Sequence, residues 1–147
     1  CLQLAVGGVE GGIKMLLPIE NNVKMHGLCH VMSGDTDGVE KGKVHEVPVK
    51  RIDGLEFIAM HKLPIIAIKM DVENFEYSVL KGAELTLKKD MPIIYCELWD
   101  NENRIKTIDF LKKLGYQTLV LQKKQLITYN PAIHSTQNFF FLSENKA

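Results

Sequence analysis

No apolar run in this chain approaches the roughly 20 residues that a bilayer-spanning helix requires. No charged leader with a short apolar core precedes the first strand, so a cytoplasmic location is the expectation. An excess of charge of one sign is also missing. Lys plus Arg and Asp plus Glu number 18 each, which leaves no long-range field to gather a polyanion and argues against nucleic acid as a partner. Cysteine is sparse: Cys1, Cys29 and Cys96 are odd in number, far apart and without a C-x-x-C pair, which argues against a disulfide framework and a structural zinc site. Cys96 is read as a buried small hydrophobe. Nor is there an initiating Met. The chain starts with Cys1 inside what reads as a strand, as a fragment would. Internal repeats and low-complexity tracts are absent as well. What remains is 147 residues, 46% hydrophobic and 24% charged, the profile of one ordinary globular domain with a sizeable core.

The densest signal lies in residues 65–99. Ile65 to Ile68 and Met70 form a near-continuous apolar run after Pro64, the pattern of a strand buried on both faces of a parallel sheet. Lys69, Asp71 and Glu73 share one parity, so an extended chain would put all three on one face at the strand's carboxyl end. That end is where open α/β sheets bind ligands. Asn74 is a preferred N-cap residue and Glu76 falls in the first turn, where the helix dipole favours an acid. Phe75, Val79, Leu80, Ala83 and Leu87 then make one stripe of an amphipathic crossover helix. After Pro92, Ile93 to Trp99 reads as a second buried strand interrupted by Glu97. A strand, helix and strand with short joints make a right-handed parallel unit, which puts Glu97 on the same rim as Asp71 and Glu73.

The flanking segments are weaker in pattern. Leu2, Leu4 and Val6 suggest a short strand, and with Ile13 to Leu17 a hairpin over residues 1–17. Residues 19–43 show no period and read as a long loop, a candidate substrate-facing segment. His26, Cys29 and His30 within it lack the partners and spacing of a metal site, and Asp35-Thr36-Asp37-Gly38 reads as a turn. Residues 44–51 read as an edge strand because of Pro48. Asp53 reads as a cap or turn residue, and Glu56 to His61 as a short helix. Asp100 and Asn101 are capping types, and Ile105, Ile108, Leu111 and Leu114 recur at helical spacing up to Gly115, a natural stop. Gln117 to Leu121, Gln125 to Tyr129 and Asn138 to Leu142 read as late strands. Trp99 is assigned to the core, and His45, His61 and His134 to isolated positions.

The run Ile68-Lys69-Met70-Asp71-Val72-Glu73-Asn74-Phe75-Glu76-Tyr77, then Val79-Leu80-Lys81-Gly82-Ala83-Glu84, Pro92-Ile93-Ile94 and Glu97, resembles the signature of FkbM-type methyltransferases. The resemblance implies an α/β fold with a Rossmann-like class I methyltransferase sheet, S-adenosylmethionine as cofactor and a hydroxyl as acceptor. Asn74 stands where the family usually has Gly, and Asn tolerates the left-handed angles a tight turn needs. By the same resemblance Ala5 and Val6, with Asp71, lie near the cofactor. The family's glycine-rich turn and its ribose-binding acid are both missing. Gly7-Gly8 and Gly11-Gly12 are the glycine pairs present, and no helix pattern follows them. The expectation is therefore a single partial domain over residues 1–147, truncated at its N-terminal side with the first two strands missing. The missing strands would leave Ile65 to Met70 as an exposed apolar edge open to self-association.

The chemistry expected is methyl transfer to a hydroxyl of a small molecule, lipid or sugar, which needs alignment and removal of a proton. Asp71 is the candidate base or acceptor-orienting group, Glu73 and Glu97 position the substrate, and Lys69 balances charge. The same carboxylates have the ligand chemistry for a divalent metal through one or two oxygens plus water, a reading ranked below proton removal. The alternative from another class is a catalytically silent Rossmann-like binding or assembly module, which Asn74 and the absent glycine loop favour. Either way the fragment alone is expected to be inactive.

Overall fold

The computed structural model describes residues 2–25, 28–32, 41–60 and 63–143. Cys1, His26, His61 and the Asp35 to Gly38 turn lie outside them. Two separate sheets form. The first holds β1 (Ala5–Val6), β2 (Gly11–Glu20), β3 (Val23–Lys24), β4 (His30–Val31) and β5 (Gly42–Lys50). The second runs in the order β6 (Ala67–Met70), β7 (Ile93–Glu97), β10 (Asn138–Ser143), β8 (Tyr116–Gln122), β9 (Gln125–Thr128). Helices α1 (Glu56–Met60), α2 (Glu76–Lys81), α3 (Glu84–Asp90) and α4 (Glu102–Lys113) complete the α/β arrangement.

In the second sheet β6 and β7 are parallel while β10 runs antiparallel to both β7 and β8. Side chains on one sheet face, Ile94, Cys96, Phe139, Phe141 and Val120, join Val79, Leu80, Ala83 and Leu87 and the α4 residues Phe110 and Leu111 in one core. Cys96 is the buried hydrophobe expected, and burial, with a smaller push from Glu76, raises its thiol well above the ordinary range. Lys123 and Lys124, both at positive φ, turn β8 into β9.

Several expectations change. The strand β6 is not buried on both faces: Ile66 just before it is 76% exposed, and among the described residues β6 pairs with β7 alone. The apolar edge is therefore open. The crossover helix is broken at Gly82 and Ala83 into α2 and α3. No hairpin forms over residues 1–17, because β5 lies between β1, its parallel partner, and β2, its antiparallel one. Nor is β5 a simple edge strand. The pairing of β1 reaches only Val49 and Lys50, so Pro48, which has no N–H to offer, falls where that partner ends. Part of the 19–43 loop is strand among its described residues: Asn21 and Asn22, both at positive φ, turn β2 into β3, a signal of the Asn-rich type that hairpins favour. In α4 the buried stripe is Arg104, Thr107, Phe110 and Leu111, rotated from the expected one so that Ile105 is exposed.

One joint brings the first sheet onto the helices. Gly7 donates to Lys50 O, and Gly8 N donates to Ser78 Oγ at 3.1 Å. Arg51 Nη1 donates to Gly8 O at 2.6 Å, and its Nη2 donates to Lys81 O at 3.2 Å. Asp53 caps α3 from outside it, accepting from Leu85 N, Thr86 N and Thr86 Oγ1. Gly82 packs so closely on the Gly7 carbonyl that a Cβ there would overlap it. Gly82→Ala is therefore expected to destabilise the fold by about 1–3 kcal/mol in urea unfolding. A change within about 0.5 kcal/mol, the range of ordinary surface substitutions, would show that the joint yields.

Candidate functional site

The parallel register Met70↔Cys96 sets the site. One step on, Asp71 and Glu97 leave the sheet at the same carboxyl end. Asp71 is exposed and paired with Lys69, Nζ to Oδ2 at 3.3 Å. Glu97 closes β7 opposite Asn138 of β10. The shared parity of Lys69 and Asp71 does not extend to Glu73, because Glu73 and Asn74 both take left-handed backbone angles, φ 50 and 70. The chain reverses there instead of running on. Asn tolerates such angles better than Glu, so this turn stores strain that its surroundings must hold.

Glu76 does much of that holding. Placed in the first turn of α2, it is 2% exposed. Its Oε1 accepts from Asn74 N at 3.1 Å and its Oε2 from Asn103 Nδ2 at 2.6 Å. Asn74 is not the cap of α2. That place falls to Phe75 without a side-chain bond, and Asn74 Oδ1 accepts from Asn101 Nδ2 at 2.9 Å. Asn101 Oδ1 in turn accepts from Asn103 N and Arg104 N, capping α4 as its residue type suggested. Arg104 donates to Leu98 O and Asp100 Oδ1 and lies over the Phe139 ring. The loops leaving β6 and β7 are thus tied to each other.

Against this rim lies a cleft of about 470 Å³ lined by Leu28, His30, Val31, Glu73, Asn74, Phe75 and Trp99. Trp99, assigned to the core from sequence, is 45% exposed and forms part of its wall. The strand β4 supplies His30 and Val31, so part of the 19–43 segment lines this cleft. Clefts of about 590 and 630 Å³ beside Tyr129, Pro131 and His134 are larger but contain none of Asp71, Glu73 or Glu97. Ala5 and Val6 end beside the same turn from the other sheet: a Cβ on the following Gly7 would meet Phe75 at 3.1 Å. Among the described residues no three His, Cys, Asp or Glu side chains are grouped to hold a metal ion. Asp71, Glu73 and Glu97 therefore share a rim without converging on one point. No helix of the described residues is long and apolar enough to cross a membrane.

Burial raises the Glu76 carboxyl above its ordinary 4.5, against hydrogen bonds from the Glu76, Asn74 and Val72 backbone and from Asn103 that lower it. The unfolded chain then loses this proton at lower pH than the folded one. The contribution of Glu76 to stability is full below the ordinary value and is lost as pH rises through the folded one. Thermal unfolding of Glu76→Gln across that window should show a flatter dependence on pH than the parent. Parallel curves would mean that Glu76 is not the group responsible.

Comparison with known proteins gives one family match. The sequence model of the methyltransferase FkbM domain matches residues 2–118. No curated protein matches. A solved structure, methyltransferase FkbM from Methylobacillus flagellatus KT, is similar at 18% identity and TM-score 0.45, over 66% of this chain. The chain spans 23% of the length of that protein.

Proposed function

The chain belongs to the methyltransferase FkbM domain family, and from that premise we propose that it is part of an S-adenosylmethionine-dependent O-methyltransferase acting on a hydroxyl of a small molecule, lipid or sugar. The observation that carries this reading is the parallel register of β6 and β7, which sends Asp71 and Glu97 out at one end of the sheet, with Glu73, two residues past Asp71, in the wall of the cleft. S-adenosylmethionine would need a counter-charge for its sulfonium and a cradle for its nucleoside. The acidic rim suits the first need. The second is not met by the described residues, since Gly7-Gly8 and Gly11-Gly12 lead into strand β2 and offer no helix amino end. The cofactor, when bound, supplies an electrophilic methyl group. The described residues offer the acidic rim but no cradle for its nucleoside.

In this reading the chain is a single partial domain of Rossmann-like type, and the open edge of β6 is where the nucleoside-binding strands adjoin. The chain's own part is to seat the acceptor. Asp71 accepts the hydroxyl proton or its hydrogen bond, Glu73 and Glu97 orient the acceptor, and Lys69 offsets the charge at Asp71 through their ion pair. General-base assistance of this kind contributes about 100-fold or more.

Two measurements test the proposal. Asp71→Ala in the complete protein should lower methyl transfer by about 100-fold or more while cofactor affinity stays nearly constant; full activity in that variant removes Asp71 from the role. Calorimetric titration of residues 1–147 alone with S-adenosylmethionine should show no saturable heat, whereas tight binding would place the nucleoside cradle within this chain. A complete protein that transfers no methyl group at all would favour the silent binding module instead.

A further inference from the structure

The cleft beside the carboxylate rim has a lopsided lining. Trp99, Phe75, Leu28 and Val31 give it apolar walls, and Trp99 and Leu28 are each 45% exposed although they are large apolar side chains. Its polar groups are few and mostly engaged. Asn74 Oδ1 accepts from Asn101, and His30 Nδ1 lies 2.9 Å from the Leu28 carbonyl, to which it donates. Among the described residues that line it, Glu73 is the one carboxylate and there is no Lys or Arg. Lys69, paired with Asp71 at this rim, is not among the residues that line the cleft.

Each feature restricts the occupant. A volume of about 470 Å³ lies within the ~300–1,000 Å³ of small-molecule sites. A phosphate or carboxylate group would meet Glu73 with no Lys or Arg among the described lining residues to offset the repulsion. A sugar would bring many hydroxyls to walls that satisfy few of them, and each unpaired polar group opposes binding. A single hydroxyl on an apolar body suits both the walls and the Glu73 carboxylate.

We propose that the cleft formed by Trp99, Phe75, Leu28 and Val31 binds a neutral, apolar-bodied alcohol and presents its hydroxyl to Glu73 at the rim. This names the acceptor class and rests on the methyltransferase reading only for what then happens to the hydroxyl.

Trp99 is the one Trp of the chain, so its emission reports occupancy directly. In the complete protein, without cofactor, Trp99 emission is isolated as the difference between the parent and Trp99→Phe. It is followed during titration with menthol, glucose and glucose 6-phosphate, none of which absorbs at the exciting wavelength. The expected result is a saturable change with menthol and none with either sugar. Leu28→Glu, at a half-exposed position, should weaken the menthol response tenfold or more while the unfolding temperature is kept. A saturable response to glucose or to glucose 6-phosphate would overturn the proposal, as would no response to menthol or an undiminished one in Leu28→Glu. Because methyl transfer is not measured here, failure of the methyltransferase reading would leave a positive menthol result standing.

Discussion

A buried carboxylate, that of Glu76, is the constraint on which the site depends. Taking a carboxylate out of water is costly unless donors replace the lost hydration. Here the donors come from the left-handed turn, through Asn74 N, and from the start of α4, through Asn103. The cost of burying the charge is offset only while both segments stay in place. The turn after β6 and the helix after β7 are therefore fixed relative to each other, and the rim residues they carry are fixed with them.

A second constraint joins the two sheets. The strands β1 to β5 make no ladder with β6 to β10. Contact runs instead through Gly7, Gly8, Arg51 and Asp53 against α2 and α3. Backbone-to-backbone approach at Gly82 explains why that position is glycine, since a side chain there would collide with the Gly7 carbonyl. The cleft is a product of this joint, because β4 belongs to the first sheet while Glu73 and Trp99 follow strands of the second.

The division of labour at the rim follows from exposure. Asp71 and Lys69 are exposed as well as paired, so they are available to a ligand and contribute little to stability. Glu76 and Arg104 are buried and bound within the protein, so they position the loops and do not face a ligand. The acids of the segment thus have opposite duties set by burial alone.

Local pattern was enough for the strand, helix and strand of residues 65–99, for the capping of α4 by Asn101 and for the late strands, because each rests on period and residue type within a short window; that Asp53 caps α3, more than thirty residues on, was not legible there. The family likeness was legible for the same reason, as an unbroken run from Ile68 onward. Sequence by itself thus determined the parallel unit and the residues that end it. Tertiary structure decided that Glu76 is inside, that Gly82 divides the helix, that β5 parts β1 from β2, and that Trp99 borders a cleft. Those outcomes depend on partners distant along the chain, Asn103, Gly7, Lys50 and His30, and no local period encodes which distant group will arrive to satisfy a buried charge or cover an apolar face.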